Sequence, residues 1–191
     1  MVSAPEMTPL DDWRWLNEPR SWSTRDGLTI TADPDTDFWR TTHYGYARDT
    51  AHLFGTHLVG DFTLRASFTA DYGAQYDQAG IALRIDERNW IKAGVELVDG
   101  AYQISTVVTR DFSDWSVVGV TEVDRVTIAA ERTGDTVTIT YGLGPATPTT
   151  MLRLAYFPPD PPVLAGVMTA APTGPGFTTH FDEIQMLTSS E

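Results

Sequence analysis

Two neighbouring runs of strictly alternating polarity, residues 78–85 and 90–97, constrain this chain more than any other feature. Their odd positions (Ala79, Ile81, Leu83, Ile85, then Ile91, Ala93, Val95, Leu97) form a continuous apolar row. Their even positions (Gln78, Gly80, Ala82, Arg84, then Trp90, Lys92, Gly94, Glu96) are small, polar, charged or aromatic. A period of two predicts two strands with one face on a core and the other open. Lys92 is the single lysine among 13 basic residues, and it sits mid-strand between Trp90 and Glu96. The open face therefore reads as a ligand-binding surface.

The remainder of the chain repeats this grammar. Residues 61–71 place Phe62, Leu64, Ala66, Phe68 and Ala70 on one side, with polar partners on the other, as in a half-wet antiparallel sheet. Asp26-Gly27, Asp99-Gly100 and Gly134-Asp135 are tight-turn pairs, and Asp33-Pro34-Asp35 is a turn in which Pro fixes φ. Short strands are expected at 28–32, 38–42, 102–109, 123–130, 136–142, 151–157, 163–170 and 177–187. Residues 50–60 read as a connection lying over an edge, and 111–116 as a polar-aromatic loop or short strand. The Trp-rich entry (Trp13, Trp15, Trp22) reads as a plug for one end of a sandwich. No stretch carries a capped helical period, so the fold class is all-β: a two-sheet sandwich in one domain, 1–191.

Composition narrows the partners. A net charge of -13 repels phosphate backbones and anionic lipid, so neither nucleic acid nor a membrane surface is an expected partner. The absence of cysteine removes disulfides, thiolate metal sites and Cys nucleophiles. The first residues have no basic n-region or apolar h-region, and no run approaches a membrane helix; the expectation is a cytoplasmic protein.

Chemistry concentrates around Lys92 and Glu96. A lysine on a sheet face needs an anion or water, because an unpaired buried ammonium is costly. Glu96 lies four residues further along the same face, about 13 Å away, so Lys92 needs a partner from elsewhere: Asp37, Asp77 or Asp114. Glu96 paired with Asp77 or Asp114 is also the candidate carboxylate pair of a glycoside hydrolase, which needs separations of about 5–5.5 Å or about 6.5–9.5 Å. Against that, the rhythm Trp90, Lys92, Gly94, Glu96 carries only one acid. Aromatic rings match the apolar faces of sugars, while Asp, Gln and Lys take hydroxyls. Trp39, Tyr44, Tyr46, Tyr76, Trp90 and Trp115 all have such neighbours, whereas Phe62, Phe68 and Phe177 belong to the core. Asp33, Asp35 and Asp37 imitate the start of a calcium loop, but Phe38 and Tyr44 stand where it needs Gly and Glu. His43, His52, His57 and His180 form no ligand pair, and no phosphate-cradling Gly loop or Gly-x-Ser-x-Gly is present; no metal or cofactor is expected.

Six ordered motifs carry a resemblance: Trp15-x-Asn17-Glu18-Pro19-x-x-Trp22, Thr36-Asp37-Phe38-Trp39-Arg40, Tyr44-Gly45-Tyr46-x-Arg48-Asp49, Tyr76-Asp77-Gln78-Ala79-Gly80, Trp90-Ile91-Lys92-x-Gly94-x-Glu96, and Val108-Thr109-Arg110-x-x-Ser113-Asp114-Trp115-Ser116. Over nearly its whole length the chain resembles an uncharacterised, concanavalin A-like family of unknown function, also labelled "regulation of enolase protein". The resemblance implies a jelly-roll sandwich of two antiparallel sheets with a concave face. The expected function is binding of a carbohydrate or another small polar ligand there. Trp39, Trp90 and Trp115 would stack on it, and Asp37, Asp77, Gln78, Lys92, Glu96 and Asp114 would hydrogen-bond it. The alternatives are a glycoside hydrolase using Glu96 and a regulatory protein acting through a protein partner.

Overall fold

The structure, a computed structural model, describes residues 9–188. In chain order the strands are β1 (Arg14–Leu16), β2 (Ser21–Ser23), β3 (Leu28–Thr31), β4 (Phe38–Arg40), β5 (Ala47–Asp49), β6 (His52–Leu58), β7 (Phe62–Ala70) and β8 (Gln78–Asp86). They continue as β9 (Asn89–Val98), β10 (Ala101–Arg110), β11 (Phe112–Val120), β12 (Val126–Thr133), β13 (Thr136–Leu143), β14 (Thr150–Tyr156), β15 (Val163–Ala170) and β16 (Thr178–Thr188). The first sheet has the order β1-β6-β15-β8-β9-β10-β11, and the second β14-β13-β12-β7-β16-β3-β2. All their ladders are antiparallel. This is the two-sheet antiparallel sandwich that the alternating runs predict, with the jelly-roll architecture that the family resemblance implies. The hairpin from β9 to β10 turns on Asp99 (φ 51°) and Gly100 (φ 75°), the left-handed pair that matches strand twist.

The main core lies between the sheets. Ile81, Ile91, Val95, Ile104 and Val167 of the first face Leu64, Phe68, Ile128 and Phe181 of the second. The Phe68 and Phe181 rings stand 5.3 Å apart, and each fully buried side chain of this size contributes about 1.5–3 kcal/mol. Of the Trp-rich entry, Trp13 is buried against Phe54 at 5.6 Å, whereas Trp22 stays 39% exposed.

The phase of β8 and β9 is as the alternation requires, with Ala79, Ile81, Leu83, Ile91, Ala93 and Val95 in the core. Their opposite face is not the open surface expected from sequence. The segment from Asp33 to Ala51, including the two-stranded β4–β5 ribbon, lies across it. Phe38, Trp39 and Ala51 form a second apolar cluster with Ala82, Trp90, Val107, Leu164 and Met168. The physical reason is that this outer face carries the apolar side chains Ala82, Trp90, Val107, Leu164 and Met168, and exposing them to water would be costly. One further expectation is corrected, and for residues 111–116 the strand alternative is the one present, longer than expected. Residues 52–58 are a strand of the first sheet, with Leu53 and Phe54 buried in different clusters. Residues 112–120 form a nine-residue edge strand in full register with β10.

Candidate functional site

Where the second cluster ends, the outer face of the first sheet turns polar. Cross-strand pairing sets the side chains there in rows: Gln78 beside Glu96 and Gln103, Gly80 beside Gly94 and Ser105, Ala82 beside Lys92, Val107 and Trp115. The middle row is stripped to glycine at its centre because β8 and β9 approach closely. A Cβ on Gly80 would meet the Ala93 carbonyl oxygen at 2.1 Å, and one on Gly94 would meet that of Ala79 at 2.0 Å. The result is a depression between Lys92 and Glu96.

Aromatic side chains from outside the two strands wall it in. Trp39 comes from β4, Tyr44 and Tyr46 from the β4–β5 turn, Tyr76 from the approach to β8 and Trp115 from β11; together with Asp37, Lys92, Glu96 and Val107 they enclose a cavity of about 20 Å³. Trp39 meets Tyr44 edge-on at 5.5 Å and Trp115 edge-on at 6.5 Å, and Tyr44 stacks on Tyr46 at 5.7 Å. Backbone geometry aims these rings. Thr41, His43 and Gly45 all have positive φ (65°, 66° and 76°), as does Tyr76 (68°). Non-glycine residues adopt this region only where surrounding contacts force it, and such outliers gather at functional sites. Here the Tyr44 and Tyr76 hydroxyls meet at 3.1 Å. That hydrogen bond, aided by partial burial, pushes the Tyr44 phenol up to about 12.

Lys92 finds its partner in Asp37, one of the three carboxylates the sequence offered. Its Nζ donates to Asp37 Oδ1 at 3.0 Å and to the Phe38 carbonyl at 2.7 Å, and both side chains of the ion pair are buried. Gln78 Nε2 donates to the same carboxylate oxygen at 3.3 Å. The Asp37 backbone is tied down in turn: its carbonyl accepts from the Thr50 and Ala51 amides at 2.9 and 3.0 Å. Glu96 has a different environment. Its Oε2 accepts from Ser105 Oγ at 2.9 Å, and Ser105 Oγ accepts from Trp115 Nε1 at 2.9 Å. Burial raises the Glu96 carboxyl above the ordinary range, outweighing the attraction of Lys92 and the Ser105 hydrogen bond.

The structure thus brings Asp37, Trp39, Gln78, Lys92, Glu96 and Trp115 together and separates three other residues expected with them. Asp77 is buried facing away, its Oδ2 accepting from the Gly73 and Ala74 amides at 2.9 Å each. It shapes the loop before β8. Asp114 is exposed on the opposite face of β11, because its neighbour Trp115 takes the inward phase. Trp90 is on the expected face but only 1% exposed, with its ring 5.6 Å from Phe38. It packs under the cover instead of presenting a stacking surface. Neither Asp77 nor Asp114 therefore faces the hollow with Glu96, the arrangement that an acid pair built on Glu96 requires. Sequence reasoning passes over Ser105, although the alternation of β10 places it on the same face as Val107. The three tyrosines stand out only as aromatics with polar neighbours.

Comparisons with known proteins agree with this architecture. The family model described as "Protein of unknown function (DUF1349)" matches residues 15–189. The chain is 37% identical over 182 residues to Regulation of enolase protein 1 of Saccharomyces cerevisiae, covering 92% of this chain and 89% of that protein. The crystal structure of a functionally unknown protein from Saccharomyces cerevisiae superposes with a TM-score of 0.89 at 33% identity, covering 96% of this chain and all 100% of that one. A carbohydrate-binding module from Bacillus subtilis, CBM66, superposes with a TM-score of 0.60 at 15% identity, covering 97% and 99% of the two chains. At that identity the likeness is one of fold.

Proposed function

The chain belongs to the DUF1349 family, and from that premise we propose that it binds a carbohydrate or sugar-like metabolite at the aromatic hollow over β8, β9 and β10. The observation that carries this reading is the local change of the outer face. Next to the part of that face sealed by apolar packing, this part keeps Gln78, Lys92, Glu96 and Ser105 beneath a ring of tryptophan and tyrosine. Rings that offer an apolar face beside hydrogen-bonding groups suit a pyranose, whose C–H and O–H surfaces alternate in the same way. The floor admits only a small group, so the body of a sugar would lie on the rim, where Tyr44, Tyr46 and Trp115 are 40%, 37% and 36% exposed. The fold likeness to a carbohydrate-binding module supports the reading without identifying a ligand.

A thermal-shift screen of the full chain against mono- and oligosaccharides tests it, repeated on Trp115→Ala. A sugar at a hundredfold over its Kd adds about 2.7 kcal/mol, which raises Tm by roughly 5–10 °C in a chain of this size. Trp115→Ala should lose that shift. Silence from every sugar, or an equal response from the variant, would refute the proposal.

A second reading, regulation through a protein partner, draws on a different surface. β11 and β14 are the edge strands of their sheets on the same side, joined by Arg153 Nη1 donating to Ser116 Oγ at 3.1 Å. They expose Phe112, Val118, Met151, Leu154 and Tyr156. An exposed apolar edge of this kind suits contact with another chain. Lysine at Val118 and Leu154 would then abolish capture of the partner while leaving sugar-induced shifts intact.

A further inference from the structure

We infer that the hollow selects a protonated amine, so that its ligand is an amino sugar or a sugar-like metabolite bearing a primary ammonium. The charged head would sit against Glu96 and the ring on the rim aromatics. This rests on the sugar-binding reading above and specifies its ligand class. Three observations on the floor and walls converge on it.

The first is charge. The hollow holds two carboxylates and one ammonium, and the ammonium is committed: Lys92 is bound to Asp37 at 3.0 Å and to the Phe38 carbonyl at 2.7 Å. Among the described residues no lysine, arginine or histidine reaches Glu96 within ion-pair distance. What Glu96 receives directly comes from neutral groups: the Ser105 hydroxyl at 2.9 Å, with the Trp115 indole N–H beside it. A buried carboxylate touched only by neutral donors, with Lys92 attracting it from beyond contact, is a site short of one positive charge.

The second is the wall. Trp39, Tyr44, Tyr46, Tyr76 and Trp115 surround that carboxylate, and ring faces attract cations more strongly once water is excluded. The fold already uses this attraction beside the hollow, where Lys92 Nζ lies 5.8 Å from the Trp90 ring centroid.

The third is size. A space of about 20 Å³ accepts a group no larger than a water molecule or two, which is the size of an ammonium and far below that of a pyranose ring. An amine entering it displaces water and keeps the sugar at the rim. A net charge of -13 also draws cations toward the surface as a whole.

Titration calorimetry on the full chain at about pH 6.5 distinguishes the alternatives, since a sugar amine is protonated there and Glu96→Gln preserves shape while removing charge. The probes are glucosamine, N-acetylglucosamine, glucose and ethanolamine. Glucosamine should bind at least about tenfold more tightly than glucose or N-acetylglucosamine, and Glu96→Gln should reduce that ratio to about one. Ethanolamine binding that depends on Glu96, with every sugar silent, would keep the ammonium assignment and remove the sugar reading. Glucose binding as tightly as glucosamine would overturn the ammonium assignment and leave the sugar reading standing. A preference for glucosamine that survives in Glu96→Gln would also overturn it. Silence from all four would overturn the ammonium assignment, and silence from the wider saccharide screen as well would overturn both.

Discussion

Replacing Lys92 by methionine leaves Asp37 buried, with Gln78 as its remaining side-chain donor and an ammonium-sized space beside it. Breaking a buried pair by removing one partner costs about 3–5 kcal/mol, because the surviving charge keeps its desolvation penalty without its attraction. Urea unfolding of Lys92→Met should show a loss of that order, and Lys92→Met with Asp37→Leu should recover much of it. Glu96 behaves in the opposite sense. Its folded-state carboxyl is raised by burial, so the folded protein holds that proton more tightly than the unfolded chain does. The stability contributed by protonated Glu96 is fully present below the ordinary carboxylate value of about 4.3 and is lost as pH rises through the raised value. At neutral pH the carboxyl is therefore a net cost to folding relative to its contribution in acid. Glu96→Gln should raise Tm at pH 7, with the gain vanishing near about pH 4. A variant less stable than the parent at pH 7 would contradict the assignment. A residue that costs stability and lines an aromatic cavity is best explained by what it binds.

The strands β8 and β9 show what alternation can and cannot reveal. Which side chains of these strands share a face is fixed by the local chain, since a period of two leaves no freedom, and Gln78, Lys92 and Glu96 are legible as co-facial for that reason. The same rule excludes Asp77 and Asp114, each adjacent to a residue that faces the hollow. Leaving residues 111–116 open between a loop and a short strand hides the exclusion of Asp114, because a loop has no phase. What covers a face depends on where a distant segment lands. Nothing in the sequence around Lys92 states that residues 33–51 fold across it, 55 positions separating Lys92 from Asp37. At this scale Gly94 makes the sharpest test. Gly94→Ala would set a methyl group against the Ala79 carbonyl and force β8 from β9, at a cost of about 1–3 kcal/mol or more. Gly45→Ala has open space around its Cβ but retains a positive φ of 76°, so its penalty should be near 1 kcal/mol. Comparable losses from both would mean that strand approach does not limit the site.

Across the whole molecule, 26 acidic and 13 basic side chains give a charge that acts on stability and on binding with opposite dependence on salt. Folding concentrates the negative charge, and mobile ions relieve the repulsion; the screening length falls from roughly 14 Å near 0.05 M salt to about 4 Å near 0.5 M. The Lys92–Asp37 pair is buried and hence little affected by this screening, whereas exposed pairs such as Arg88 with Asp111 contribute little at any salt. Sodium chloride should accordingly raise Tm by a few degrees between those concentrations. Glucosamine affinity should fall over the same range, because both the attraction of the acidic surface and that of the cavity mouth are screened before the ligand is enclosed. Glucose, which carries no charge, should show neither trend in its affinity. The two measurements together separate the acidic surface from the Glu96 carboxylate. A salt dependence of glucosamine binding that persists unchanged in Glu96→Gln would assign the attraction to the surface alone, and one that shrinks with the substitution would assign it to the carboxylate beneath the aromatic ring.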